Sequence, residues 1–115
     1  MPSEERRITF SETETSSAVQ RLVRRRDPER STVEIRHVRP TSNGQELTGA
    51  HVSGNIGLER IDLDLSVTEL SAALLGWCLA TSVPIPRQAQ KRVDYARGKF
   101  VLVLRVQDTR TPEAE

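Results

Sequence analysis

Ser66-Val67-Thr68-Glu69, followed by Leu70 to Ala80, constrains this chain more than any other stretch. No charged residue occurs from Leu70 to Ala80. The four residues before it have the S-x-x-E form, in which the serine hydroxyl accepts from the glutamate backbone N–H and the carboxylate reaches back to the serine N–H. A helix is therefore predicted from Ser66 to about Thr81. At 3.6 residues per turn, Val67, Leu70, Leu74, Trp77 and Cys78 fall on one stripe, the pattern of a core-facing side. Leu75 and Leu79 form a second patch, and Ala72, Gly76 and Ala80 make a face of small side chains that another backbone can approach closely. A helix so poor in polar surface is expected to be covered on more than one side. Ala72, Leu75, Gly76, Leu79 and Ala80 are accordingly read as a candidate protein interface.

A chain of 115 residues has the size of one domain, and with only 3% aromatic residues its core is expected to be aliphatic. The net charge of +1 argues against a protein that coats polyanions along its whole surface. The charge is unevenly placed: residues 17–40 and 84–107 are basic and flank an acidic 41–83. Cys78 is the single cysteine, so no intrachain disulfide can form and a reducing compartment suits the chain. Met1 to Arg7 lacks the apolar run of a secretory signal. The run from Leu70 to Leu79 is far short of the roughly 20 residues of a spanning helix. The expectation is a soluble, cytoplasmic protein.

Residues 1–15 are charged and rich in Ser and Thr, with Ile8 and Phe10 alternating as a short edge strand, and read as a mobile or loosely docked arm. A short amphipathic helix is predicted from Ser16 or Ser17, with Ala18, Val19, Leu22 and Val23 on one side, ending at Asp27-Pro28. Thr32 to Arg39 alternates as a strand stopped by Pro40, with His37 on the apolar side beside Val33 and Ile35. Thr41 to Gly44 is a turn, Leu47 to Val52 a weaker strand, and Ser53-Gly54-Asn55 a second turn. Leu58 to Leu65 alternates cleanly, with Ile61, Leu63 and Leu65 inward and Arg60, Asp62 and Asp64 outward. After the buried helix, Val83 to Pro86 is a stiff connection and Arg87 to Arg92 a single helical turn. Val93–Tyr95 and Phe100–Val106 then form a hairpin about Arg97-Gly98. Phe100 to Leu104 is apolar on both faces and is expected to be a central strand. No internal repeat is evident. The predicted fold is α+β, a mainly antiparallel sheet of about four to five strands packed on one buried helix, with a short N-terminal helix. Residues 16–107 form the domain and 108–115 a polar tail.

No motif carries catalysis. His37, His51 and Cys78 lack the paired spacing of a metal site, and Cys78 on the core stripe reads as a packing residue rather than a nucleophile. His51 reads as a solvated residue near turns. Asp62 and Asp64, about 7 Å apart on one strand face, read as ordinary outward charges. No cofactor and no metal is expected. The strongest polar feature is basic: Arg21, Arg24, Arg25 and Arg26 in the first helix, and Arg87, Lys91, Arg92 and Arg97 around the hairpin. If the fold joined the two groups, they would form a patch for nucleic acid or another anion. The sequence therefore supports a small non-enzymatic protein acting through protein–protein contact, as a homo-oligomer or accessory subunit. The alternative is a nucleic-acid-binding or regulatory module that uses the arginine clusters.

Overall fold

A computed structural model describes residues 3–86 and 88–107. The predicted 108–115 tail lies outside the described residues, as does Arg87. The elements run β1 (Ser3–Thr9), α1 (Glu12–Arg26), a short 3-10 turn (Pro28–Arg30), β2 (Glu34–Asn43), β3 (Glu46–Ile56), β4 (Glu59–Ser66), α2 (Val67–Ala80), β5 (Gln90–Ala96) and β6 (Lys99–Gln107). The fold is α+β and antiparallel throughout, but the six strands form two three-stranded sheets rather than one sheet of four or five. One sheet has the order β1-β6-β5 and the other β2-β3-β4.

Both helices begin on the same local device. In α2 the Ser66 N–H donates to Glu69 Oε1 at 2.9 Å and the Glu69 N–H to Ser66 Oγ at 3.1 Å. The first of these bonds holds the Glu69 carboxyl below the usual glutamate range. In α1 the Ser11 N–H donates to Glu14 Oε1 at 2.9 Å and the Glu14 N–H to Ser11 Oγ at 3.0 Å. The second box starts α1 at Glu12, ahead of the expected Ser16, so the segment read as an arm holds β1 against β6 and the first turn of α1. Replacing either serine by Ala is expected to cost about 1 kcal/mol. An unmoved denaturation midpoint in both variants would show that these caps do not set the helix starts.

The repeated cap marks a repeated architecture. β1-α1-β2-β3 and β4-α2-β5-β6 have the same element order, and each half lends its first strand to the hairpin of the other: β1 pairs with β6, and β4 with β3. Shifted by 55 residues, Ser11 to Ser66, the buried helical positions coincide: Thr15 with Leu70, Ala18 with Ala73, Val19 with Leu74 and Val23 with Cys78. The sequence showed no repeat because of these four pairs only Ala18 and Ala73 are the same residue, and what all four share is burial.

Several strand boundaries differ from expectation for physical reasons. β2 runs through Pro40 because it is an edge strand, where a missing N–H costs no ladder bond. A register shift between Ile35 and His37 turns both Arg36 and His37 outward, so His37 is exposed instead of sharing the face of Ile35. Gly54 is not a turn residue; β3 continues to Ile56 and turns at Gly57-Leu58. Gln90 to Arg92, expected in a helical turn, belong to β5.

In α2 the buried residues are Leu70, Ala73, Leu74 and Cys78. Trp77 is only half-buried, and Val67, at 36% exposure, stands at the first position of the helix, outside the core cluster. The buried arc is thus rotated toward Ala73, because α1 as well as the sheets packs on α2. β6 is central in its sheet, and Val101 to Leu104 are buried on both faces, as their apolar run requires.

Candidate protein interface

The small-residue and leucine faces of α2 have divided surroundings. Ala72, Leu79 and Ala80 are exposed, Leu79 at 71%, while Leu75 and Gly76 are half-buried. Gly76 has a neighbour already, since a Cβ there would lie 3.4 Å from Arg21 Nη1. Val67, Ser71, Leu75 and Leu79 stand four apart and so form one row along the helix.

The near end of that row borders a cleft of about 1090 Å³. Its walls are α2 (Val67, Thr68, Ser71, Ala72, Leu75), the tip of the β2–β3 hairpin (Asn43, Gln45, Glu46, Leu47), and Lys91 to Asp94 of β5. Four consecutive β5 residues line it, so the edge of the strand, not one of its faces, opens into the cleft. Two of the predicted interface residues, Ala72 and Leu75, and two of the predicted basic residues, Lys91 and Arg92, thereby meet in one place. Leu47, Val67 and the β5 edge are members that sequence patterning missed.

The exchanged architecture places a second cleft at the corresponding position, where α1 (Glu12, Thr15, Ser16), β2 (Arg36 to Pro40) and the β5–β6 hairpin meet. Its volume is only about 270 Å³. There the rings of Tyr95 and Phe100 pack edge to face, with centroids 4.8 Å apart. The pair in the same place beside the turn of the other hairpin is Ser42 with Leu47, which brings no aromatic ring to the larger cleft.

Among the described residues, the predicted basic group does not form one patch. Arg24 Nε donates to the Val33 carbonyl at 2.9 Å, Arg26 pairs with Glu69 at 2.8 Å, and Arg21 lies against Gly76. Arg25 is exposed. On the other side, Lys91 Nζ donates to the Ala89 carbonyl at 3.0 Å, Arg92 pairs with Asp94 at 3.1 Å, and Arg97 sits in the turn with φ of 55°. The α1 arginines pack with α2 and β2, whereas β5 packs on α2 and β3, so α2 stands between the two groups.

Two further polar features are resolved. His51 on β3 lies opposite Asp64, with Nδ1 2.8 Å from Asp64 and Nε2 3.2 Å from Asp62. The hydrogen bond to Asp64, then that to Asp62, raises the His51 pKa above the usual 6.5. Among the described residues no group of three or more His, Cys, Asp or Glu side chains could hold a metal ion. A folded pKa raised in this way gives stability that is complete below the unfolded value and is lost as pH rises through the folded one. An NMR titration of His51 is expected to give a midpoint above 6.5 that falls in Asp64→Asn and, by less, in Asp62→Asn; an unshifted midpoint would place the imidazole away from both carboxylates. Cys78 is buried, and burial pushes its thiol pKa up, away from the reactive thiolate.

Comparison of the chain with protein-family models, with curated proteins and with solved structures gives no significant match. Among the described residues, no helix is long and apolar enough to cross a membrane.

Proposed function

We propose that this is a cytoplasmic, non-enzymatic protein that acts through protein–protein contact, as a homo-oligomer, using the face of α2 that runs from the large cleft to Leu79. The observation that supports this reading is the apolar row itself: Leu79 is 71% exposed and Val67 36% exposed on the same helical line as Leu75, beside a cleft walled by Leu47 and Ala72. Exposed apolar groups gathered around a concavity favour a protein partner. Nucleic acid has less support, because Arg24, Arg26 and Arg92 each hold a partner within the chain.

Sedimentation or light-scattering mass measurement tests the proposal. Leu79→Glu is expected to convert an oligomer to monomer while leaving the circular dichroism unchanged, with little dependence on salt. A strictly monomeric wild type that binds duplex DNA, with affinity falling steeply as salt rises, would favour the nucleic-acid module instead.

A further inference from the structure

Among the described residues four strand edges have no ladder partner, those of β1 and β5 in one sheet and of β2 and β4 in the other. An open edge pairs with another strand unless something prevents it. Three of these edges are guarded. β2 carries Pro40 and a register shift. β4 carries Asp62 and Asp64, which meet like charge when the strand is paired antiparallel with itself about its middle. On β1, with Glu4, Glu5, Arg6 and Arg7 in succession, antiparallel self-pairing centred on any of the four sets that charge against itself.

β5 is different. The Phe10 N–H donates to the Phe100 carbonyl at 2.9 Å, continuing the β1–β6 ladder. In an antiparallel sheet this fixes the alternation: even-numbered residues of β6 bond β1, and odd-numbered ones bond β5. The partners of Val101, Val103 and Arg105 on β5 are Asp94, Arg92 and Gln90. The backbone N–H and C=O groups of Lys91, Val93 and Tyr95 therefore point off the open edge.

We propose that β5 is a self-pairing edge: it joins β5 of a second copy of this chain, antiparallel and centred on Val93, to make a continuous six-stranded sheet. This deepens the protein-contact reading above and rests on it. The register matches outward-facing backbone to outward-facing backbone, Val93 with Val93 and Lys91 with Tyr95 of the second copy. It also sets Arg92 opposite Asp94 of the second copy twice over, in the closely spaced non-hydrogen-bonded pairs where cross-strand charges interact best. Shifting the centre to residue 91, 92 or 94 puts Lys, Arg or Asp against itself, and centring on Tyr95 forms no Arg–Asp pair, so charge favours the register about Val93. Tyr95, 41% exposed, would lie beside Lys91 at the wall of the large cleft, next to its apolar lining.

Sedimentation equilibrium of the full chain and its charge variants tests this. Arg92→Asp alone and Asp94→Arg alone each place two like-charge pairs at the interface, and each is expected to weaken self-association by about tenfold or more. Mixed together, the two variants restore both opposite-charge pairs and should form a heterodimer as tight as the wild-type dimer. Lys91→Pro removes an outward N–H but no bond to β6, and should dissociate the dimer while circular dichroism stays unchanged. A mixture that remains monomeric overturns the pairing. So does a wild-type dimer indifferent to all three changes but dissociated by Leu79→Glu, a result that retains protein contact through α2. A wild type that is monomeric throughout overturns both readings of self-association.

Discussion

Leu74→Ala is expected to lower stability by about 2–5 kcal/mol, the range for deleting a leucine side chain from a close-packed core. Leu74 has 0% exposure and belongs to the cluster that joins both helices to both sheets. Val19, at the equivalent position of α1, is equally enclosed. Trp77→Ala should cost less despite removing more atoms, because Trp77 is half-buried and part of its surface is already wet. Chemical denaturation of the two variants side by side is the measurement. A Trp77 variant that loses more than the Leu74 variant would mean that the helix is rotated from the orientation described.

Gly54→Ala should be among the most damaging single-methyl additions, with a loss of about 1–3 kcal/mol or more. A Cβ at Gly54 would fall inside the contact distance of the Glu34 carbonyl on β2, and that obstacle is backbone, which cannot rotate aside. Gly49 meets the same difficulty against the Leu65 carbonyl, with φ of 155°. Gly57 is the useful control for Gly54, since a Cβ there meets nothing within 4 Å and only its φ of 61° resists substitution. A Gly54 variant as stable as wild type would show that β2 and β3 can separate locally at the register shift without cost.

Legibility in the sequence followed the range of the interaction concerned. The Ser66 cap, the alternation of Ile61, Leu63 and Leu65 against Arg60, Asp62 and Asp64, and the doubly apolar Val101 to Leu104 are set by residues within a turn or two of each other, and each was readable. The Ser11 cap has the same form as that at Ser66, but Ser/Thr-rich surroundings and the lack of an apolar run directly behind Glu14 concealed it. His37 was misplaced because strict alternation holds only until a bulge, and the bulge at Arg36 depends on Gly54, far along the chain. The division into two sheets was invisible because nothing in β1 or β4 alone states which hairpin will receive it. In the candidate interface, Leu79 and Ala72 are exposed. The β5 edge does not appear on any wheel, because an edge exists only once a strand has its neighbours.

The exchange of first strands between the halves fixes the order in which the chain can become complete. The sheet β2-β3-β4 is a local meander, joined by short turns, and every strand of it has left the ribosome by Ser66. The sheet β1-β6-β5 sets Ser3 opposite Gln107, nearly the whole described chain apart, and pairings of such separation are the slow ones to close. Of the described strands β1 is made first, and its ladder partner β6 is made last. In the interval, the charges of Glu4 to Arg7 disfavour pairing of this strand with a wrong edge.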